Sequence, residues 1–296
     1  MPLTSQPRVV QSAVQHQRIL IVGMGYVGTE LAQLLVASGA EVFGLRRSDR
    51  MLPRGVYPVR ADVVSGEGFE HVPPHVDQVI YAVSPGSRTE TAYQAVYVDG
   101  LSRILDRLPD ARLLLVSSTA VYGANSQGTI TEETELRPGD GPSEKLVAGE
   151  LVATRAGEHV IYRASGIYGP GRTRLLAQLA HQELAPHERT IITNRIHRDD
   201  LACCLAFSLE RRQHRGIFNA TDLEPTSLGT MSDWVRQQTL PPWWTRSADE
   251  APVRARKSRA VSSQKLQALG YRFVYPSFRE GYAAILAAMK EARGTS

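Results

Sequence analysis

Short unbroken apolar runs alternate, along the first half of the chain, with stretches in which apolar residues recur at helical spacing. Arg18–Val22 (RILIV) is rich in β-branched residues and stops at Gly23, as a buried strand does. Val27, Leu31, Leu34 and Leu35 then line one face of a helix that Gly39 closes. Further strands are read at Glu41–Leu45, Tyr57–Ala61, Gln78–Val83, Arg112–Ser117 and His159–Arg163, with helices over Glu90–Leu108 and Ser143–Ala156. Strands that alternate with helices need right-handed crossovers, so the pattern predicts an α/β fold with a doubly wound parallel sheet.

The pattern shortens after Gly166. Pro186, Pro225, Pro241, Pro242 and Pro252 interrupt it, which predicts a smaller C-terminal α/β lobe over one edge of the sheet. The expected organisation is a flexible polar extension over residues 1–17, a main unit over 18–170 and the lobe over 171–296. Within the last, residues 196–220 return to the main unit through Ile196–Leu209 and Gly216–Ala220. Trp243 and Trp244 could line a lid or fill the lobe.

Composition narrows the class. The chain has 296 residues, 42% hydrophobic and 22% charged, enough to bury a core without disulfides. The formal net charge of +4 is carried mostly by scattered arginines, so no nucleic-acid arm is expected. No run approaches the roughly 20 apolar residues of a membrane span. Cys203 and Cys204 are adjacent, unsuited to bridging, and read as reduced thiols of a cytoplasmic protein. No Cys/His cluster suggests a metal.

Candidate chemistry begins at Gly23-Met24-Gly25-Tyr26-Val27-Gly28, a GxGxxG run that follows one expected strand and opens one expected helix. The first glycine permits the tight turn, the second a close approach of backbone to a pyrophosphate, and the third close helix–strand packing. This is the fingerprint of a Rossmann dinucleotide site, with the phosphates at a helix N-terminus. NAD sites carry an acidic residue about 20 residues further on, for the ribose 2′-hydroxyl. Here the second strand ends in Arg46-Arg47-Ser48, and two guanidinium groups suit a 2′-phosphate. The expected cofactor is therefore NADP(H), with NAD(H) the alternative. Asp62, after the third strand, reads equally as an adenine neighbour or as a turn residue.

From here the chain resembles the extended short-chain dehydrogenase/reductase family, in its NAD-dependent epimerase/dehydratase group. The resemblance is carried by Gly23–Gly28, Leu115–Gly123 (LVSSTAVYG), Tyr162–Arg172 (YRASGIYGPGR), Arg195–Ala202 (RIHRDDLA) and Gly216–Asp222 (GIFNATD). The tail, ending ALGYRFVYPSFREG at Gly281, resembles an atypical branch related to nucleoside-diphosphate-sugar epimerases. The resemblance implies that Ser118 hydrogen-bonds the substrate oxygen at the reacting carbon, with Ser117 or Thr119 as alternatives. It implies a Tyr-x-x-x-Lys pair on the next helix, where one turn brings both side chains to one face. Lys145 fits the lysine, binding the cofactor and supporting catalysis, but Gly141 stands where the tyrosine should be, and no tyrosine occurs between Gly123 and Ile161. Tyr122 and Tyr168 are the candidate substitutes for proton transfer.

The resemblance also implies that Arg172 and Arg174 approach the phosphates of a sugar nucleotide, and that the two helices after the fourth and fifth strands form a homodimer. Asp199 or Asp200 reads as a helix N-cap, and His197 as a packed junction residue. Two functions follow: an NADP(H)-dependent oxidoreductase, epimerase or dehydratase acting on a nucleotide sugar or other small polar substrate, or a dinucleotide-binding sensor that has lost catalysis with the tyrosine.

Overall fold

The computed structural model describes residues 12–123, 128–181, 183–238, 240 and 258–294. Trp243 and Trp244 lie outside them. In chain order the first half runs β1 (Arg18–Val22), α1 (Tyr26–Ala37), β2 (Glu41–Arg46), β3 (Val56–Arg60), β4 (Gln78–Tyr81), α2 (Glu90–Tyr93), α3 (Leu101–Arg107), β5 (Arg112–Ser118), β6 (Thr129–Ile130) and α4 (Gly141–Ala153). The second half runs β7 (His159–Ala164), β8 (Gly166–Tyr168), α5 (Arg174–His181), α6 (Pro186–Arg189), β9 (Ile192–Thr193), β10 (Arg195–His197), α7 (Arg198–Leu209) and β11 (Gly216–Ala220). It ends with β12 (Thr226–Ser227), α8 (Leu228–Arg236), β13 (Ala260–Val261), α9 (Gln264–Ala268) and α10 (Phe278–Gly294).

Seven strands form one sheet in the order β11-β7-β5-β4-β1-β2-β3, all parallel. Its inner strands are apolar on both faces because helices cover both: Leu113, Leu114 and Leu115 are all fully buried. Truncating one of them to Ala would cost about 2–5 kcal/mol. Pro58 is tolerated because β3 is an edge strand, where a missing N–H breaks no ladder. The strand order reverses between β1 and β4, and such a switch point opens a crevice at the carboxyl ends of the strands.

One core layer, from Leu20 and Val22 to Leu101, Ile104 and Leu146, joins the sheet to the helices after β4 and β5. The opposite layer joins α1 and α7 through Leu31, Leu35, Leu201 and Leu205. A third cluster, with Leu176, Leu179, Met231, Phe278 and Tyr282, holds α5, α8 and α10 together as the smaller lobe. Among the described residues no helix is long and apolar enough to cross a membrane, and no group of His, Cys, Asp or Glu could hold a metal ion.

Three local features differ from the sequence reading. The stretch placed in the flexible extension is anchored at its end: Val14 is fully buried, and the His16 amide donates to the Gly39 carbonyl at 3.0 Å. The helix expected over Glu90–Leu108 is interrupted, because Gln94–Gly100 winds as a π-helix between α2 and α3. The N-cap of α7 is His197, whose Nδ1 accepts from the Asp199 amide at 3.2 Å, rather than either aspartate. Asp200 is instead fully buried and fastens the tail, accepting from the amides of Val274 and Tyr275, both at 2.8 Å.

Candidate functional site

The crevice at the β1/β4 switch point is a cleft of about 770 Å³. The turn from β1 into α1 forms its floor, and each glycine there has different surroundings. Gly23 has φ +103°, and a Cβ on it would sit 2.7 Å from the Ala82 carbonyl oxygen. A Cβ on Gly28 would overlap the Gly23 carbonyl oxygen and crowd Ile21. Gly25 caps α1, and a Cβ there would meet no atom within 4 Å. Its small size therefore relieves no crowding within the protein and leaves room above the helix N-terminus for an anionic group.

Arg46, Arg47, Ser48 and Asp62 line the end of the cleft beside β2 and β3. Arg46 donates to the Arg50 carbonyl at 3.2 Å and to Ser48 Oγ at 3.0 Å, while Arg47 is exposed. No carboxylate follows β2 before Asp49, which pairs with Arg60 at 3.1 Å. Asp62 does what a turn residue does, with Oδ1 accepting from the Val64 amide at 2.8 Å, and it also faces the cleft.

At the opposite end the wall is Ser117, Ser118, Ser165 and Ile167, faced by Tyr93 and Tyr97. Ser118 ends β5 and its Oγ accepts from the Ala120 amide at 3.2 Å, which leaves its O–H to donate. Ser165 is buried, yet its Oγ makes no hydrogen bond to any described residue. A buried hydroxyl without a partner in a cleft wall is a group that a bound ligand can satisfy. The open space over Gly25, the Ser165 hydroxyl and the arginine pair together fit a dinucleotide.

Behind this wall lies a buried polar network. Glu150 accepts from Ser117 Oγ at 2.6 Å and from Arg163 Nε at 3.1 Å and Nη2 at 2.7 Å. Arg163 Nη1 donates to the Tyr122 hydroxyl at 2.9 Å, and that hydroxyl donates to Asn219 Oδ1 at 2.7 Å.

These contacts correct two expectations. Tyr122 is fully buried within the network, burial pushes its phenol up, and it does not line the cleft. Tyr168 is also buried, its hydroxyl lying against Gly281 of α10 and 3.5 Å from the Ser277 carbonyl, and burial raises its pKa too. Neither lines the cleft itself, and Tyr168 borders a second, adjoining pocket. Lys145 and Thr119 are not in the cleft wall either. Lys145 Nζ pairs with Glu90 Oε1 at 3.2 Å, and the Thr119 carbonyl accepts from Arg259 at 2.5 Å. Gly23, Gly25, Tyr26, Val27, Arg46, Arg47, Asp62, Ser118 and Arg172 all meet at the cleft, whereas Gly28 supports it from beneath.

A second pocket, of about 700 Å³, adjoins the first and shares Ile167 and Arg172 with it. Arg172, Arg174 and Arg195 line it, and no carboxylate does. Arg172 stacks 4.1 Å from the Tyr26 ring, whose hydroxyl donates to the Pro170 carbonyl at 2.9 Å. Arg195 is buried, and its Nη1 makes no hydrogen bond to any described residue. His197 packs against the rings of Tyr168 and Tyr275, as a junction residue. Sequence reasoning missed Ser165 and Arg195, although both lie within the quoted motifs. An orphan polar atom is a property of the folded surroundings, and no spacing rule signals it.

The profile of the NAD dependent epimerase/dehydratase family matches residues 19–220, and the chain belongs to that family. Among solved structures it is similar to a Methylobacillus flagellatus protein provisionally assigned as an NAD-dependent epimerase/dehydratase. The two share 33% identity over 93% of this chain and 99% of that one, with a TM-score of 0.75. It is also similar in fold to the UDP-glucose 4-epimerase of Thermus thermophilus, solved with NAD, at 21% identity over 91% and 97% of the chains and a TM-score of 0.69. Protein YeeZ of Escherichia coli K12 is 24% identical over 276 residues, covering 88% of this chain and 97% of the relative.

Proposed function

We propose that the chain is an NADP(H)-dependent oxidoreductase, epimerase or dehydratase acting on a small anionic substrate of the nucleotide-sugar kind. The observation that carries this reading is the adjacency of the two pockets. Ile167 and Arg172 line both the cleft and a second chamber bordered by three arginines. Planar guanidinium groups match phosphate or carboxylate oxygens, and Arg195, buried and holding an unsatisfied Nη1, is the group such an oxygen would satisfy.

Gly23, Gly25 and the N-terminus of α1 would hold the pyrophosphate, and Arg46 with Arg47 the 2′-phosphate. Ser165 would face the nicotinamide half. Bound there, the nicotinamide supplies two-electron chemistry at a substrate carbon. Ser118 would donate its O–H to the oxygen on that carbon, while Arg172, Arg174 and Arg195 orient the anionic end. The Thermus epimerase, whose substrate is UDP-glucose and which binds NAD, supports the substrate class. The arginines after β2 favour NADP(H) over NAD(H) for this chain.

Following NADPH absorbance against a panel of nucleotide sugars and simpler carbonyl compounds tests the reading. Turnover that Arg195→Ala weakens mainly through KM is the expected result. Micromolar NADPH binding with no turnover on any substrate would favour the sensor function, which rests on Gly141.

A further inference from the structure

Gly141 and Gly149 lie two turns apart on α4, and both face the helix that follows β4. A Cβ on Gly141 would stand 2.6 Å from Glu90 Oε2 and 3.0 Å from Glu90 Cβ. A Cβ on Gly149 would stand 2.8 Å from the Tyr97 carbonyl oxygen and 2.9 Å from Tyr97 Cβ. A side chain at 141 would crowd that of Glu90, and one at 149 would press on the Tyr97 backbone.

The two contacts also set the register. Glu90 meets Gly141 and Tyr97 meets Gly149, so the helices run parallel. Tyr93, three residues past Glu90, rises about 4.5 Å, and Lys145, four residues past Gly141, rises about 6 Å. Tyr93 and Lys145 thus sit within about 2 Å of the same level. The Lys145–Glu90 ion pair ties the two helices together.

Tyr93 is half-buried, lines the cleft with Ala92, Ala95, Val96 and Tyr97, and its hydroxyl makes no hydrogen bond to any described residue. The other ionisable groups in the wall are placed for other tasks. Arg46, Arg47 and Asp62 lie at the β2/β3 end, Arg172 stacks on the Tyr26 ring, Tyr26 is bonded to Pro170 and Tyr97 is buried. A Tyr97 ring 5.6 Å from the Tyr93 ring packs that side chain in place.

We propose that Tyr93, carried on the helix that Gly141 and Gly149 admit against α4, is the proton-transfer residue of the cleft. The proposal rests on the dinucleotide reading above. In the reducing direction a nicotinamide held in the cleft would supply the hydride to the carbonyl carbon, and would itself be the two-electron reductant. The Tyr93 O–H breaks, its proton goes to the carbonyl oxygen, and the phenolate regains a proton from water. The products are one alcohol and one oxidised dinucleotide, and the oxidising direction reverses each step.

Nitration by tetranitromethane, mapped by mass spectrometry, tests this alongside calorimetry and turnover. Tyr93 should be nitrated in the bare protein, protected by NADP⁺, and unprotected by adenosine 2′,5′-bisphosphate, which lacks the nicotinamide half. Tyr93→Phe should keep NADP⁺ affinity within about two-fold and lower kcat about 100-fold or more, with KM little changed. Nitration of Tyr93 that NADP⁺ does not alter, or full turnover of Tyr93→Phe, overturns the proposal. If NADP⁺ binds and Tyr93 stays unprotected, only this assignment fails. If calorimetry detects no NADP⁺ binding, the dinucleotide reading fails and this assignment with it.

Discussion

Arg163 and Glu150 form a bidentate ion pair that is almost wholly buried, with Nη2 and Oε2 2.7 Å apart. The pair joins β7 to α4 directly behind Ser117, so it fixes the wall of the cleft as well as the packing of the helix. Removing one partner leaves a buried charge without compensation. Glu150→Gln should lower unfolding free energy by about 3–5 kcal/mol, read as a fall in the urea midpoint. A midpoint unchanged from the parent protein would show that the network does not support the fold.

The glycines of the first turn should separate binding from folding. Gly25→Ala adds a Cβ that meets no protein atom within 4 Å, so melting temperature should hold while dinucleotide affinity falls at least about ten-fold. Gly28→Ala forces a methyl group against the Gly23 carbonyl and should lower the melting temperature itself. Thermal melts with and without NADP⁺ check both.

Asp222 makes stability depend on pH in an unusual direction. It is buried behind the arginine pocket, and desolvation pushes its carboxyl up to about 8, only partly offset by Arg195. In the unfolded chain an aspartate titrates near about 3.9. Between those values the folded state holds a proton that the unfolded state has released, so this group's contribution to stability falls as pH rises from about 4 to about 8. Asp222→Asn should flatten that part of the curve in denaturant titrations. An unchanged slope would show that Asp222 is ionised in the fold.

Asp140 acts in the opposite sense. As N-cap of α4 it accepts from the Ser143 amide at 2.9 Å and from Ser143 Oγ at 2.6 Å, and these bonds hold its carboxyl down to about 2. The stabilisation is present above the unfolded value near 4 and is lost as pH falls toward 2. Asp140→Ala should cost about 1 kcal/mol at neutral pH, and the difference should shrink in acid. A pH-independent difference would assign the effect to something other than the charged cap.

The fold was legible because its strongest signals are local. RILIV, the glycine turn and the later apolar runs mark strands and helices by composition alone, and their alternation forces the parallel sheet. The arginines after β2 were equally plain, since a strand end projects into the switch-point crevice whatever else surrounds it. What failed to show depends on contacts between distant segments. Tyr122 sits in a recognisable motif, yet Arg163 and Asn219 hold it within the core. Tyr93 sits in no motif, and only the close approach of two helices at Gly141 and Gly149 brings it level with Lys145. The π-helix over Gln94–Gly100 shifts the residues that face the cleft, a change that helical periodicity does not encode. His197 replaced the aspartates as the cap of α7 because Asp200 is drawn into the tail instead.

We propose that this cleft holds a dinucleotide and reads its 2′-phosphate through Arg46 and Arg47. Calorimetric titration of the parent protein and of an Arg46→Ala, Arg47→Ala double variant, each with NADP⁺ and with NAD⁺, tests it most directly. Tighter binding of NADP⁺ by the parent, lost in the double variant while NAD⁺ affinity holds, is the predicted result. Equal affinity of the parent for the two dinucleotides would contradict it.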